Sequence, residues 1–215
     1  MKVNLESISE RNGTNHLSKA DREIYSVGIS TGGQAEIRMA RAARNRHIIA
    51  TTIDLEGAEY AKQRIKEFGL SNQIEVKIEN VNQPLPYPDS YFDFIYARLV
   101  LHYLSKDALT SALTELHRIL LTGGRIFIVV RSVDCPEARD TAAEFDALTG
   151  LTTYSSRGKS YSRYFHSQES IKHHLSLAGF TIKHVDAYQE QLCVDFQRTK
   201  LSEQVDSLIE VLALK

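Results

Sequence analysis

Residues 23–33, EIYSVGISTGG, decide how this chain reads. The run from Glu23 to Ile29 is short and largely apolar, Ser30-Thr31-Gly32-Gly33 breaks it, and from Gln34 the apolar positions Ala35, Met39, Ala42 and Ala43 recur at helical spacing. That is a strand, a glycine-rich turn and a helix. Arg38, Arg41 and Arg44 fall on the opposite face, a solvated stripe with its positive charge toward the helix C-terminus.

Outward from this unit the same alternation repeats. A second strand, HIIATTID (47–54), ends at Asp54, and the next helix carries Ala58, Ala61, Ile65 and Phe68 on one face before Gly69 caps it. Ile74, Val76 and Ile78 alternate as a third strand, and YFDFIYA (91–97) makes a fourth after the turn PLPYPDS. Ser105 is a good N-cap for a helix packing Leu109, Leu113, Leu116 and Leu120, stopped by Gly123-Gly124. RIFIVV (125–130) hardly alternates and reads as a fifth strand buried on both faces. The expected fold is therefore α/β: a doubly wound, mostly parallel Rossmann-like sheet with helices on both faces. Ligands of such sheets sit at the carboxyl ends of the strands, near the switch in strand order.

Beyond Ser132 the pattern loosens. We expect a helix over 136–148, a polar stretch GLTTYSSRGKSYSRYF (150–165), a capped helix with Ile171, Leu175 and Ala178, and a sixth strand FTIKHV (180–185). The tail VDSLIEVLALK (205–215) fits a helix by the spacing of Val205, Leu208, Ile209 and Leu212, yet its content also suits a strand. The chain divides as one domain, 1–215: a polar arm (1–20) that is mobile or a short helix ending near Ser18, a core (23–132), a substrate-side insertion (133–166) and a return to the core (167–215).

Composition narrows the function. With 215 residues, 42% apolar and 25% charged, the chain suits one globular domain. Twenty-six basic against 27 acidic residues leave a net charge of -1, no field for gripping a phosphate backbone, so nucleic acid is not the expected partner. The N-terminus MKVNLESISERNG has no apolar leader core and no later run approaches the ~20 residues of a membrane span. Cys135 and Cys193 sit in no metal or redox spacing and read as reduced, buried thiols of a cytoplasmic protein. His173 and His174 are adjacent, so their side chains diverge and no metal site is expected.

Three chemistries can claim the turn SVGISTGG. As G-x-S-x-G, Gly28, Ser30 and Gly32 match a serine-hydrolase elbow, but only one strand precedes Ser30 where such elbows follow several. As G-x-G-x-x-G, Gly28 and Gly33 fit a nicotinamide-dependent oxidoreductase with Ser30 in the middle and Asp54 somewhat far on. The third reading extends well past the turn. SVGISTG resembles the first motif D/E-x-G-x-G-x-G of the class I S-adenosylmethionine-dependent methyltransferases, with Ser26 replacing the acid and Ser30 the middle glycine. PLPYPDSYFDFIYARLVLHYL resembles that family's L-P-F-x-D-x-x-F-D stretch, LLTGGRIFIVV its L-K-P-G-G-x-L strand entry with Thr122 for proline, and SQESIKHHLSLAGFTIKHV its helix before the sixth strand.

The resemblance covers residues 23–132 in order and spacing, and it implies S-adenosylmethionine as cofactor and methyl transfer to a small-molecule acceptor. It also implies an antiparallel last strand, hence a strand for SLIEVLALK. Gly28, Ser30, Thr31 and Gly32 would carry the cofactor's edge; Asp54, beside Leu55, would accept from the two ribose hydroxyls, and Asn80-Val81 would flank the adenine. Arg98, near the methionine part, and His102 are the candidate catalytic residues; Asp134, Tyr161, Arg163, Tyr164 and His166 are further candidates on the acceptor side. From Ala147 to Gln168 there is no carboxylate, while Arg157, Lys159 and Arg163 interleave with Tyr154, Tyr161 and Tyr164, which suits a lid over an anionic or aromatic acceptor. The alternative is a non-catalytic Rossmann-like binding or interaction protein.

Overall fold

The computed structural model describes residues 7–29, 31–156, 158–195 and 198–215. Its main sheet has seven strands in the order β3-β2-β1-β4-β5-β10-β9. They are β1 (Glu23–Val27), β2 (His47–Thr52), β3 (Ile74–Ile78), β4 (Phe92–Arg98), β5 (Leu120–Arg131), β9 (Thr181–Glu190) and β10 (Asp206–Leu214). The first five run parallel, whereas β10 lies antiparallel between β5 and β9. The tail is thus a strand, as the family pattern implied and its helical spacing did not. Its Leu208, Ile209, Val211 and Ala213 are all buried, so both faces are covered and the 3.6-residue pattern carries no information there.

Alternation along the central strands builds two cores. Tyr25, Val27, Ile95, Ala97, Ile126, Ile128 and Val130 face α4 (Lys106–Ile119) and α5 (Gln168–Leu177). Ile24, Phe94, Tyr96, Phe127 and Val129 face the other side, where α2 (Gln34–Ala42) and α3 (Leu55–Glu67) pack through Ile37, Met39 and Ile65. The strand order runs outward from β1 to β2 and β3 on one side and restarts at β4 on the other, so the switch point lies between β1 and β4.

The polar arm is a helix, α1 (Ile8–Asn15), capped by Ser7. It docks on the second face through charge instead of an apolar stripe: Glu10 pairs with Arg198, and Asn12 donates to Glu210 at 2.9 Å. At Gly13 a Cβ would stand 2.5 Å from the Phe127 and Tyr96 rings, so the helix lies directly on them.

Other parts of the structure differ from the sequence reading or go beyond it. The helix α4 ends at Ile119, and Gly123-Gly124 belong to a bulge inside β5, where Leu120 pairs Phe92 and Arg125 pairs Phe94. No helix occupies 136–148: a single 3-10 turn spans Pro136–Ala138, and β6 (Glu144–Phe145) follows. Asp140 and Asp146 accept from backbone N–H groups two residues on, which favours turns over helix, and Phe145 and Leu148 are exposed, so no apolar face exists. The polar stretch after Gly150 is a β-hairpin, β7 (Thr152–Ser156) and β8 (Lys159–Arg163), with Tyr154 opposite Tyr161. Cys135 is buried, but Cys193 is only half-buried; both are free thiols.

Candidate active site

At the carboxyl ends of β1, β2, β3 and β4, beside the switch point, opens a cavity of about 500 Å³, within the usual range for small-molecule sites. Gly28, Asp54, Asn80, Val81 and Arg98 line it together, five residues separated by up to 70 positions in sequence. Gly28 has φ 69°, and a Cβ there would meet Val100 at 2.7 Å; the β1 tip and the post-β4 segment touch through the space a side chain would fill. Asp54 stands at the tip of β2 as N-cap of α3, its Oδ1 accepting from the Glu56 N–H at 3.1 Å, and its side chain remains exposed to the cavity.

Other expected residues fall elsewhere. Gly32 (φ 64°) sits in the turn leading into α2 and Leu55 opens α3 at 68% exposure, neither on this cavity wall. Thr31 opens the same turn, and Ser30 lies outside the described residues. His102 is off the wall too: it is 1% exposed behind Tyr103, with ring centroids 4.5 Å apart. Burial, and then Arg131 and Arg163, push its pKa well down, so it is held neutral. Among the described residues neither of its ring nitrogens meets a hydrogen-bond partner.

Arg98 reaches the wall but is engaged. Its Nε donates to Ser9 Oγ at 2.7 Å, its Nη2 to Ser7 Oγ at 2.9 Å, and Glu190 lies 3.9 Å away. The lining that the sequence did not mark is mainly apolar: Val27, Ile29, Ile53, Leu99, Val100 and Leu104, with Tyr103 at the mouth. Leu99 adopts φ 57°, a conformation that costs a residue with a Cβ about 1–2 kcal/mol. Glu79 is the other addition, a carboxylate that accepts from Tyr25 Oη at 3.0 Å and Tyr87 Oη at 2.6 Å. Burial first, then Glu79, raise both phenol pKa values. Its place at the end of the third strand was a usable signal, since strand ends are where such sheets bind ligands.

On the acceptor side, the insertion turns its basic residue inward. Arg163 is 8% exposed, hydrogen-bonds the Tyr154 and Tyr103 hydroxyls, and lies 5.3–5.5 Å from the centroids of Tyr103, Tyr154 and Tyr161. Tyr164 N–H donates to the His102 carbonyl at 2.8 Å, tying the hairpin to the post-β4 segment. Tyr161 stacks on Tyr154, and His166 is buried, its pKa pushed down to about 3 by burial and then His174. Asp134 is exposed and paired with Arg139. Cys135, Glu137 and Asp206 place ligand-type atoms within 4.8 Å of one another. Arg131 stands between the two carboxylates, 3.0 Å from Glu137 and bonded to Asp206, and its positive charge offsets part of theirs.

A switch-point cavity with a glycine tip, a second-strand carboxylate and an apolar lining has the position and size of a Rossmann-like small-molecule site. Comparison with known proteins narrows this. Residues 25–128 match the family described as Methyltransferase domain. An S-adenosylmethionine-dependent methyltransferase from Methanosarcina mazei superposes with TM-score 0.70 at 17% identity, over 94% of this chain and 95% of its own. A putative one from Listeria monocytogenes gives 0.72 at 13%, over 96% and 97%, and one from Mesorhizobium loti 0.66 at 18%, over 96% and 98%. No curated protein matches by sequence. The methyltransferase-domain pattern thus spans the first five strands of the sheet, and the chain as a whole shares the fold of these S-adenosylmethionine-dependent methyltransferases. No helix among the described residues is long and apolar enough to cross a membrane.

Proposed function

We propose that this chain is an S-adenosylmethionine-dependent methyltransferase and that it methylates a small, neutral acceptor with an apolar or aromatic body. The cofactor half of this reading rests on one observation: Gly28, Asp54, Asn80 and Val81 share a single cavity, in the order a nucleoside would need. Asp54 would take the two ribose hydroxyls, an acceptor-only carboxylate meeting two donors. Asn80 and Val81 would flank the adenine, and the Gly28 tip would lie against the amino-acid end. The residues fit the group, because an exposed carboxylate, an amide side chain and apolar side chains line one cavity at the strand ends.

S-adenosylmethionine supplies a methyl group already activated by its sulfonium, so the protein's task is alignment and water exclusion. Leu99, Val100, Tyr103 and Leu104 give an apolar approach for the acceptor beside that end of the cavity. An anionic acceptor is disfavoured because, among the described residues, the cations on that side are occupied: Arg98 by Ser7 and Ser9, Arg131 by Glu137 and Asp206, and Arg163 by three tyrosines and, at 3.8 Å, by Glu137. Neutral His102 stands behind Tyr103 and would support the wall, not the acceptor.

Calorimetry with S-adenosylhomocysteine tests the cofactor half. Because Asp54 also caps α3, Asp54→Ser is the better variant: serine keeps a cap but cannot span two hydroxyls. Affinity should fall by about 1.5–3 kcal/mol. Undiminished binding by the folded variant would remove Asp54 from the site. Methyl incorporation into neutral phenols against aromatic carboxylates tests the acceptor half; preference for carboxylates refutes it.

A further inference from the structure

The first glycine motif of this chain lacks its acidic residue, since Ser26 stands at the end of β1 where that acid belongs. The structure shows a carboxylate beside it all the same. Glu36, in the first turn of α2 and ten positions further along, accepts a hydrogen bond from Ser26 Oγ at 2.6 Å. Both residues are 0% exposed. Taking a carboxylate out of water costs several kcal/mol, and a well-packed apolar residue would be less costly at a position that served packing alone. The N-terminal turn of a helix is one of few buried places that favour negative charge.

We propose that Glu36 supplies, from the helix and anchored by Ser26, the negative charge that the β1 strand has lost, and that this charge helps the Gly28 turn hold the ammonium-bearing end of the cofactor. The inference rests on the cofactor reading above. Glu36 is off the cavity wall, so it is a positioning residue that acts through the turn and through its field. A consequence is that Ser26→Asp alone does not restore a lost contact: it sets a second carboxylate against the first, about a hydrogen-bond length away, and one of them must take up a proton.

The test compares two probes with the full chain. S-adenosylhomocysteine carries the ammonium, whereas 5′-methylthioadenosine has the same nucleoside and thioether without it. Wild type binding neither probe refutes the cofactor reading, and this proposal falls with it. If wild type binds, Glu36→Gln should weaken S-adenosylhomocysteine roughly tenfold or more, the effect expected for a charge-assisted contact, and 5′-methylthioadenosine by less than about threefold. Equal loss for both probes marks a purely structural residue and overturns the proposal, as does no loss for either. The exchange variant Ser26→Asp with Glu36→Ser moves the carboxylate back to the strand, and should bind S-adenosylhomocysteine within about threefold of wild type. A folded exchange variant that still discriminates against the ammonium-bearing probe overturns the idea even if Glu36→Gln fails to fold. If the exchange variant itself fails to fold where Glu36→Ser alone folds, the charge cannot be carried by the strand and the proposal is equally lost.

Discussion

Replacing Gly28 by alanine probes the contact on which the cavity's shape depends. The new Cβ would stand 2.7 Å from Val100 Cγ2 and 2.8 Å from Val100 Cβ, far inside the ~3.5–4.0 Å of ordinary carbon contact. The backbone adds a separate cost, because φ 69° is left-handed and penalises any L side chain by about 1–2 kcal/mol. Overpacking of this kind typically costs about 1–3 kcal/mol, so the two together come to roughly 2–5 kcal/mol. For a chain of this length that is a fall in Tm of roughly 4–20 °C. Val100→Ala should relieve only part of it, since Val100 Cβ itself remains within 2.8 Å. A double-mutant cycle on urea-unfolding midpoints should show a favourable coupling between Gly28→Ala and Val100→Ala, with the conformational share of the loss unrecovered. A Gly28→Ala protein with unchanged Tm would refute the close approach of the β1 tip to the post-β4 segment, and with it the drawn shape of the site.

Two other outcomes follow from buried charge. His166 has its pKa lowered from 6.5 to about 3 in the fold, so the unfolded chain binds the extra proton first as pH falls; stability is fully present above about pH 6.5 and lost on acidification. Between pH 7 and pH 5 this one group should remove about 2 kcal/mol of unfolding free energy, with His102 adding in the same direction, and flat stability over that window would contradict their burial. Arg198→Met should cost about 3–5 kcal/mol by leaving the fully buried Glu10 unpaired, and should expose the first helix to limited proteolysis; an unaltered melting curve would show that α1 does not depend on this pair.

Where the sequence could be read, an apolar period had something to report. β1 to β5 and α2 to α4 alternate between one covered face and one wet face, or are apolar throughout, and their alternation along the chain implied a largely parallel sheet with helices on both sides. The same signal was silent or misleading wherever polar contacts do the packing. In the insertion, Thr152-Thr153-Tyr154-Ser155-Ser156 pairs as a strand, but its hydroxyl-bearing side chains offer no apolar period to read. The aspartates of 136–148 look helix-compatible by composition, and only their backbone bonds at Asp140 and Asp146 reveal turns. For the site, residues at strand tips were legible because position alone defines them, whereas Glu36 was not, because its partner is ten residues away and the pairing needs the helix to fold back over the strand.

The polar arm gives this distinction functional weight. Arg98 is the residue that family likeness directs toward the methionine part of the cofactor, and it does line the cavity. Yet its donors are committed to Ser7 and Ser9 of the arm, and the Ser9 N–H donates in turn to Glu190, 3.0 Å away at the end of β9. One wall of the cavity is therefore held by α1 and the end of β9, and the Glu10–Arg198 pair ties the same helix to the segment between β9 and β10. A charge network gives directional contacts that a sliding apolar face does not, so it fixes Arg98 in one orientation at the cavity edge. An arm that reads as polar and without periodicity is by geometry a support of the candidate site.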